Sequence, residues 1–370
     1  MVVQRDKITE YIFFLKEKGL FSDYSNEHML LRALNGQFDL FEKYPGIGKD
    51  SVGLYDAASC PNTFISNLSK ALFQLENHFG EEKIHTFIRN QLAAGKGNYN
   101  ESRFLDSLFE ISVLRYICSI GPIERALYEP KLLDSKNPEA TVKYKNGITL
   151  NVEVKNSGNR AQNVIPKLYN GYIRPHFIMT DSERSDFRTM CKVKKLHFDP
   201  PRILMLKDFI KSAASKFTKV DNKYEFNVLY INWSYVDNSS WLDEPTTLLA
   251  NPVSGILYSK KAQNILGIGD DIMNKISAIV LFKESFESIL FTGNIWGQAA
   301  GHRTKLLILD HIKQEGKNNL SSFINLREHD RREVSGYLSF DLYPSNNDVL
   351  SICGDIYHKS QMHWVFGINT

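Results

Sequence analysis

The sequence lacks several features that would place it quickly in a class. Only four of its 370 residues are cysteines, and none of them forms a CxxC pair. Such spacing predicts free thiols rather than disulfides or a zinc site. No apolar run approaches the roughly 20 residues of a membrane-spanning helix, and residues 1–6 do not resemble the start of a signal peptide. We therefore expect a cytoplasmic protein that does not contact a membrane.

The chain also has no strong excess of one charge, because its 45 Lys and Arg residues are nearly balanced by 42 Asp and Glu residues. The distribution is uneven: residues 160–219 contain thirteen Lys or Arg and five Asp or Glu. Phosphates supply most of the binding energy for nucleic acids, so a basic segment suits such a ligand. A solvated, lysine-rich insertion would give the same pattern.

A phosphate-binding loop for nucleotides is not found either. Around Gly48-Lys49 the Walker A pattern would need Gly at position 43 and Ser or Thr at position 50, where the chain has Lys43 and Asp50. We expect no nucleotide cofactor.

The chain is 42% hydrophobic and 24% charged, which suits a globular protein with a full core. Three regions are predicted: a helical region over 1–98 for recognition or dimerisation, a core over 99–235 with a basic insertion at 160–205, and a mixed α/β region over 236–370. Periodicity within the core predicts a helix over 101–119, strands near 125–133, 140–145 and 148–155, a helix over 206–217 and a strand over 226–233. Further on we expect a buried strand at 277–283 and an amphipathic helix near 303–313.

Two of these strands form a predicted β-hairpin. Apolar residues occupy the even positions from 140 to 144 and from 148 to 154, and Asn146-Gly147 between them is a strong turn signal. A two-residue turn would pair Lys145 with Ile148, polar against apolar, whereas a three-residue loop keeps even positions opposite even positions. With that loop, Glu139 falls opposite Glu153, and Lys155 follows two residues later on the same face.

Opposed carboxylates repel each other across a hairpin, and a bound cation is the simplest resolution. Carboxylate oxygens suit Mg²⁺, or Mn²⁺ in its place, and Lys155 would stabilise charge on a phosphoryl group. An ion pair on an exposed hairpin face is the alternative. The Glu-x-Lys spacing alone is uninformative, because it also occurs at Glu81/Lys83, Glu129/Lys131 and Glu315/Lys317.

Residues 101–233 resemble the PD-(D/E)XK nuclease superfamily, on the strength of Pro138-Glu139, Glu153 and Lys155. The resemblance implies a restriction-endonuclease-like αβββαβ core and a Mg²⁺-dependent endonuclease acting on DNA. Glu139 and Glu153 would hold the metal together with the Val154 carbonyl, and Lys155 would complete the catalytic set. Analogy with restriction enzymes suggests a homodimer and a role in defence against foreign DNA.

The chain departs from that family at one point, because Glu139 stands where the family usually has Asp. The extra methylene could shift the metal or mark a degenerate site in a protein that only binds nucleic acid or acts as a scaffold. Asp134 is a rival first acid, although it lies outside the hairpin. A third alternative is a different enzyme in which the hairpin match is fortuitous.

Four further residues are candidates for supporting roles. Glu110 falls on an apolar sector of the first core helix, which suggests an auxiliary metal or water ligand; pairing with Arg103 or Arg115 is the alternative. Arg160, Lys207 and Lys211 are predicted to contact the nucleic-acid backbone, with a solvated helix face as the alternative for the two lysines.

Overall fold

The computed structural model describes most of the region from residue 60 to residue 326. The described residues are 60–92, 101–130, 137–157, 171–175, 178–199, 202–220, 222–233, 242–251, 255–284, 304–326, 328–329 and 340–343. Much of the predicted N-terminal region therefore lies outside the described residues, as does Arg160.

The helices alternate with strands through most of this range. They are α1 Cys60–Phe79, α2 Glu81–Asn90, α3 Glu101–Ser119, α4 Asp181–Val193, α5 Ile203–Ala214, α6 Asp243–Ala250, α7 Lys260–Leu266, α8 Asp270–Met273 and α9 Gln314–Ile324. The strands are β1 Ile123–Tyr128, β2 Ala140–Tyr144, β3 Thr149–Asn156, β4 Gly171–Pro175, β5 Leu196–Phe198, β6 Glu225–Asn232, β7 Ala278–Phe282, β8 Thr304–Ile308 and β9 Phe340–Tyr343.

A mixed six-stranded sheet organises the fold, in the order β1-β2-β3-β6-β7-β8. The β1-β2-β3 part is antiparallel, β3, β6 and β7 are parallel, and β8 returns antiparallel to β7. A smaller sheet has the order β5-β4-β9. The expected α/β class is therefore confirmed, and the large sheet extends past the predicted region limit at residue 235, because β7 and β8 belong to it.

Two apolar cores cover the two faces of the large sheet. Along β6, Val228 and Tyr230 belong to the core that includes α1, α2, α3 and α9, while Leu229 and Ile231 belong to the core that includes α5, α6 and α7. A central parallel strand must be apolar on both faces for this arrangement, and β6 is. The carboxyl ends of β3, β6 and β7 consequently meet at one edge of the sheet, where α/β proteins commonly place their sites.

The predicted hairpin register is confirmed. Ala140 pairs with Val152 and Val142 pairs with Leu150, and the Tyr144 amide donates to the Ile148 carbonyl at 2.8 Å. Gly147 closes the three-residue loop with a φ of +87°, the left-handed conformation that glycine adopts without strain. The parity of apolar positions was therefore sufficient to fix the register.

Replacing Gly147 with alanine should destabilise the protein by about 1 kcal/mol, because an L-residue is strained at positive φ. The added methyl group would meet nothing within 4 Å, so the strain would be confined to the backbone. Urea unfolding measures the effect, with Lys145→Ala in the same exposed loop as the control. An unchanged midpoint for Gly147→Ala would contradict the left-handed turn.

The predicted amphipathic helix near 303–313 is wrong, because this segment forms β8 and a turn. Leu306 and Ile308 enter one core, while Leu307 and Leu309 enter the other. A short run that is apolar on both faces has no period that distinguishes a buried strand from a helix. The helix follows later, as α9.

The part of the chain that the structure describes contains no helix long and apolar enough to span a membrane. In the same part, the side chains of Cys118 and Cys191 are buried.

Candidate active site

A cluster of charged side chains forms at the carboxyl end of β3. Glu153 and Lys155 come from β3 itself, Glu139 directly precedes β2, and Glu110 lies on α3. Lys216 joins them from the turn that follows α5. Glu153 is fully buried at 0% exposure, although a carboxylate is among the groups least often buried without strong partners.

Strand alternation explains why Glu153 and Lys155 lie together. Val152 and Val154 point into the core on the α3 side of the sheet, so the odd-numbered residues between and beyond them face the other way. The β2–β3 ladder ends at the Ala140–Val152 pair, and the Glu139 carbonyl accepts a hydrogen bond from the Glu129 amide at 2.9 Å. Glu139 thus lies directly beyond the β2–β3 ladder, with its backbone bonded to the residue that follows β1.

Two lysines surround the buried carboxylate. The Glu153 Oε1 atom lies 2.6 Å from Lys155 Nζ and 2.7 Å from Lys216 Nζ. Lys216 Nζ also donates to Glu139 Oε1 at 3.1 Å. The cation between the two glutamates in this structure is therefore the Lys216 ammonium. The two ammonium groups thus hold Glu153 Oε1, while Glu153 Oε2 has no hydrogen-bond partner among the described residues.

The charges in this cluster shift each other's ionisation. Burial, followed by repulsion from Glu139, raises the pKa of Glu153, while Lys155 and Lys216 act in the opposite direction. Burial alone would lower the pKa of Lys216, but the attraction of Glu139 and Glu153 outweighs it and the pKa is raised. Ionisation is consequently costly for Glu153 and favourable for Lys216, a combination often found at functional sites.

Glu110 belongs to the same electrostatic group. Its Oε1 accepts a hydrogen bond from the Tyr128 hydroxyl at 3.0 Å, so its partner is Tyr128 rather than either arginine considered from the sequence. Burial, and next the charge of Glu139, raise the pKa of Glu110 well above its ordinary value. A glutamate in this state carries a proton more readily than an exposed one, which limits the repulsion within the cluster.

Glutamine at position 110 should change how stability depends on pH. A carboxyl group whose pKa is raised on folding stabilises the protein fully below its unfolded pKa, and this contribution is lost as the pH rises through the folded pKa. Glu110→Gln should therefore match wild type at pH 4 and exceed its free energy of unfolding at pH 8, measured in urea with EDTA.

The exposed Glu82 on α2 provides the control for this experiment, since Glu82→Gln should leave the pH profile of stability as it is in wild type. A Glu110→Gln profile that runs parallel to wild type from pH 4 to pH 8 would show that Glu110 ionises as an ordinary surface carboxyl.

Two residues of this charged region, Asp106 and Lys216, were not identified as site residues from the sequence. Asp106 on α3 accepts a hydrogen bond from the Asn156 side chain at 2.6 Å. Burial raises the pKa of Asp106, while this hydrogen bond and the charge of Lys155 act in the opposite direction. Lys216 is one of several lysines on or directly after α5. Nothing in the local sequence distinguishes it from Lys211, because its contact depends on how α5 packs against the sheet.

The other predicted site residues lie in different surroundings. Val154 stands between Glu153 and Lys155, past the end of the β2 ladder and paired with β6 at Tyr230. Lys207 lies 3.4 Å from Asp208, and the Lys211 ammonium lies close to Gly267. Neither lysine contacts the glutamates, so the structure does not bring them together with the cluster.

Among the residues that the structure describes, no three His, Cys, Asp or Glu side chains form a ready group of metal ligands. The residues nevertheless fit a hard cation that needs few protein ligands, because Glu139 and Glu153 approach one point and Glu153 Oε2 has no hydrogen-bond partner among the described residues. Mg²⁺ keeps several waters and commonly binds one or two carboxylates plus substrate phosphate.

Known proteins give no independent guide to this site. No family model matches the chain, and neither a curated protein nor a solved structure matches it.

Proposed function

We propose that this protein is a Mg²⁺-dependent nuclease that hydrolyses phosphodiester bonds in DNA, on a restriction-endonuclease-like core formed by α3, β1–β3, α5 and β6. The observation that carries the proposal is the fully buried Glu153, which shares one cation with Glu139 and lies beside Lys155. A surface ion pair would need none of this burial.

Each side chain has a distinct task in this proposal. A bound Mg²⁺ would polarise the phosphate and make a coordinated water more acidic. Glu139 and Glu153 would hold the ion, with the Val154 carbonyl as a further ligand. The Lys155 ammonium would stabilise the charge that develops on the phosphoryl oxygens. Glu110, with its raised pKa, would keep a proton near the cluster and relieve repulsion between the carboxylates.

The choice of nucleic acid as substrate is supported by the basic segment. Helix α4 lies within it and presents exposed cationic side chains on its solvent face and in the turn that follows, namely Arg188, Lys192 and Lys195. Contacts of this kind position a nucleic acid through its phosphates without reading its sequence. Binding through such contacts weakens steeply as salt is added.

A second function is favoured by one observation. Lys216 places a permanent positive charge between Glu139 and Glu153, at the point where a metal would bind. A protein that had lost catalysis could keep this arrangement as a purely structural ion-pair cluster. It would then bind nucleic acid, or act as a scaffold, with no requirement for a divalent cation.

A cleavage assay separates these two functions. Purified wild type is incubated with supercoiled plasmid, linear duplex and single-stranded DNA in Mg²⁺, Mn²⁺ or EDTA. Cleavage that requires the metal and disappears in Glu153→Gln supports the nuclease. Salt-dependent DNA binding without cleavage in any metal supports the second function, and equal cleavage by wild type and Glu153→Gln would assign the activity to a contaminant.

A further inference from the structure

Lys216 connects the two glutamates that would bind the metal. We propose that the Lys216 ammonium is the built-in counter-cation of the Glu139–Glu153 pair, and that a divalent cation must displace it in order to bind. This inference rests on the proposed function, because it concerns the same metal site. It adds Lys216 as a positioning residue. It also adds a competition between the Lys216 ammonium and the divalent cation, which sets the concentration of free cation needed to fill the site.

The backbone of Lys216 is held in place, whereas its side chain can move out of the cluster. Its backbone is fixed in the turn after α5, where the Lys216 amide donates to the Ala213 carbonyl at 2.9 Å, and the next residue, Phe217, is fully buried. The side chain itself remains 20% exposed. A lysine has four rotatable methylene groups, so the ammonium can move to solvent while the backbone stays in place.

The distances make the two cations mutually exclusive. The Lys216 ammonium lies 2.7 Å from Glu153 Oε1 and 3.1 Å from Glu139 Oε1. A magnesium ion would take the same carboxylates at about 2.1 Å. Two cations that close, in a site shielded from water, would repel strongly. The ammonium must therefore withdraw when a divalent cation enters.

The competition has two consequences for the metal-free protein. The site stays assembled without metal, because Lys155 and Lys216 together balance the charges of Glu139 and Glu153. The apparent affinity for metal is lowered, since only the fraction of molecules with Lys216 withdrawn can bind. The site would thus be filled only when the concentration of free divalent cation is high.

The Lys216→Met substitution tests the competition, because it keeps most of the side-chain volume and removes the charge. Mn²⁺ binding to the full chain is measured by isothermal titration calorimetry. Lys216→Met should bind Mn²⁺ about tenfold more tightly than wild type, if the binding-competent fraction in wild type is about a tenth. In EDTA its midpoint of thermal unfolding should fall, and Mn²⁺ should restore it.

Lys143, on strand β2 of the hairpin that also carries Glu153, supplies a matched control. Its Nζ lies 2.7 Å from Glu124 on the surface, so Lys143→Met also removes a lysine from a Lys–Glu pair, and it should bind Mn²⁺ as wild type does. Lys216→Arg retains the charge and should bind Mn²⁺ as weakly as wild type. If Lys216→Met does not fold, Lys216→Gln takes its place beside Lys216→Arg.

The outcomes separate this inference from the function on which it rests. Equal Mn²⁺ affinity in wild type and Lys216→Met, with binding lost in Glu153→Gln, would overturn the competition and leave the metal site in place. Weaker binding by Lys216→Met would also overturn it, because Lys216 would then assist the metal. An absence of Mn²⁺ binding in all variants would remove the metal site and the proposed nuclease with it.

Discussion

Glu153→Gln should reduce the rate of DNA cleavage by at least about 100-fold, comparable to the loss of one key electrostatic group in an active site. The substitution keeps the shape of the side chain and removes the charge that would hold the metal. Cleavage of a fluorescent duplex under single-turnover conditions measures the effect. Binding of Mn²⁺ to the same protein should be lost in parallel.

The same variant should be more stable than wild type at pH 7. Burial and the neighbouring Glu139 raise the pKa of Glu153, so its ionisation at neutral pH costs folding free energy. Removing one partner of a buried ion pair usually destabilises a protein by stranding the other. Here Lys155 and Lys216 keep access to water, and Lys216 keeps Glu139, so relief of the buried charge should outweigh their loss.

A Glu153→Gln protein with lower activity and higher stability than wild type would identify a functional site rather than a structural ion pair. Functional residues are often held at a cost to stability. Glu124→Gln, at the exposed Lys143 pair, is the control and should alter neither property much. A Glu153→Gln protein that is less stable and still cleaves DNA as wild type does would identify Glu153 as part of the scaffold.

Lys155→Met should reduce the rate of the chemical step by about 10²- to 10³-fold. Lys155 lies beside Glu153 without being a metal ligand, so its ammonium would act on the phosphoryl oxygens. Affinity for a labelled duplex, measured by fluorescence anisotropy, should change little, because one cation among many phosphate contacts contributes a small part of binding.

For Lys155, the informative result is a lower rate of the chemical step combined with a nearly unchanged affinity for DNA. Lys143→Met, which removes a lysine from the opposite strand of the same hairpin, should keep the wild-type rate. If Lys155→Met instead lowers DNA affinity and leaves the single-turnover rate unchanged, Lys155 contacts the backbone of the substrate and does not act in the chemical step.

The hairpin was predictable from the sequence because several independent constraints agree on it. The parity of apolar residues, the Asn146-Gly147 turn and the left-handed loop position permit one register, and that register places Glu139 near Glu153. The order helix, three strands, helix, strand, formed by α3, β1–β3, α5 and β6, was also predictable, since each of these elements has a clear period and ends in turn residues. Strand β4, helix α4 and strand β5, which lie between β3 and α5 in the basic segment, were not predicted. The assignment to a nuclease superfamily remains a prediction.

Features that depend on tertiary packing could not be predicted. Lys216 reaches the cluster only because α5 packs across the sheet, and the sequence around it is similar to that around Lys211. Strand β8 was expected to be a helix, because Leu306–Leu309 supply apolar groups to both faces of the sheet and leave no periodic signal. The bond between Glu110 and Tyr128 joins α3 to β1, and apolar periodicity carries no information about it.

A crystal structure of the wild-type protein grown in Mn²⁺, with anomalous diffraction data, would test the central claim most directly. The account predicts an anomalous peak about 2.1–2.2 Å from carboxylate oxygens of both Glu139 and Glu153, with the Lys216 ammonium withdrawn from between them. No peak at saturating Mn²⁺, with Lys216 still contacting both glutamates, would contradict a metal-dependent active site and leave an ion-pair cluster in its place.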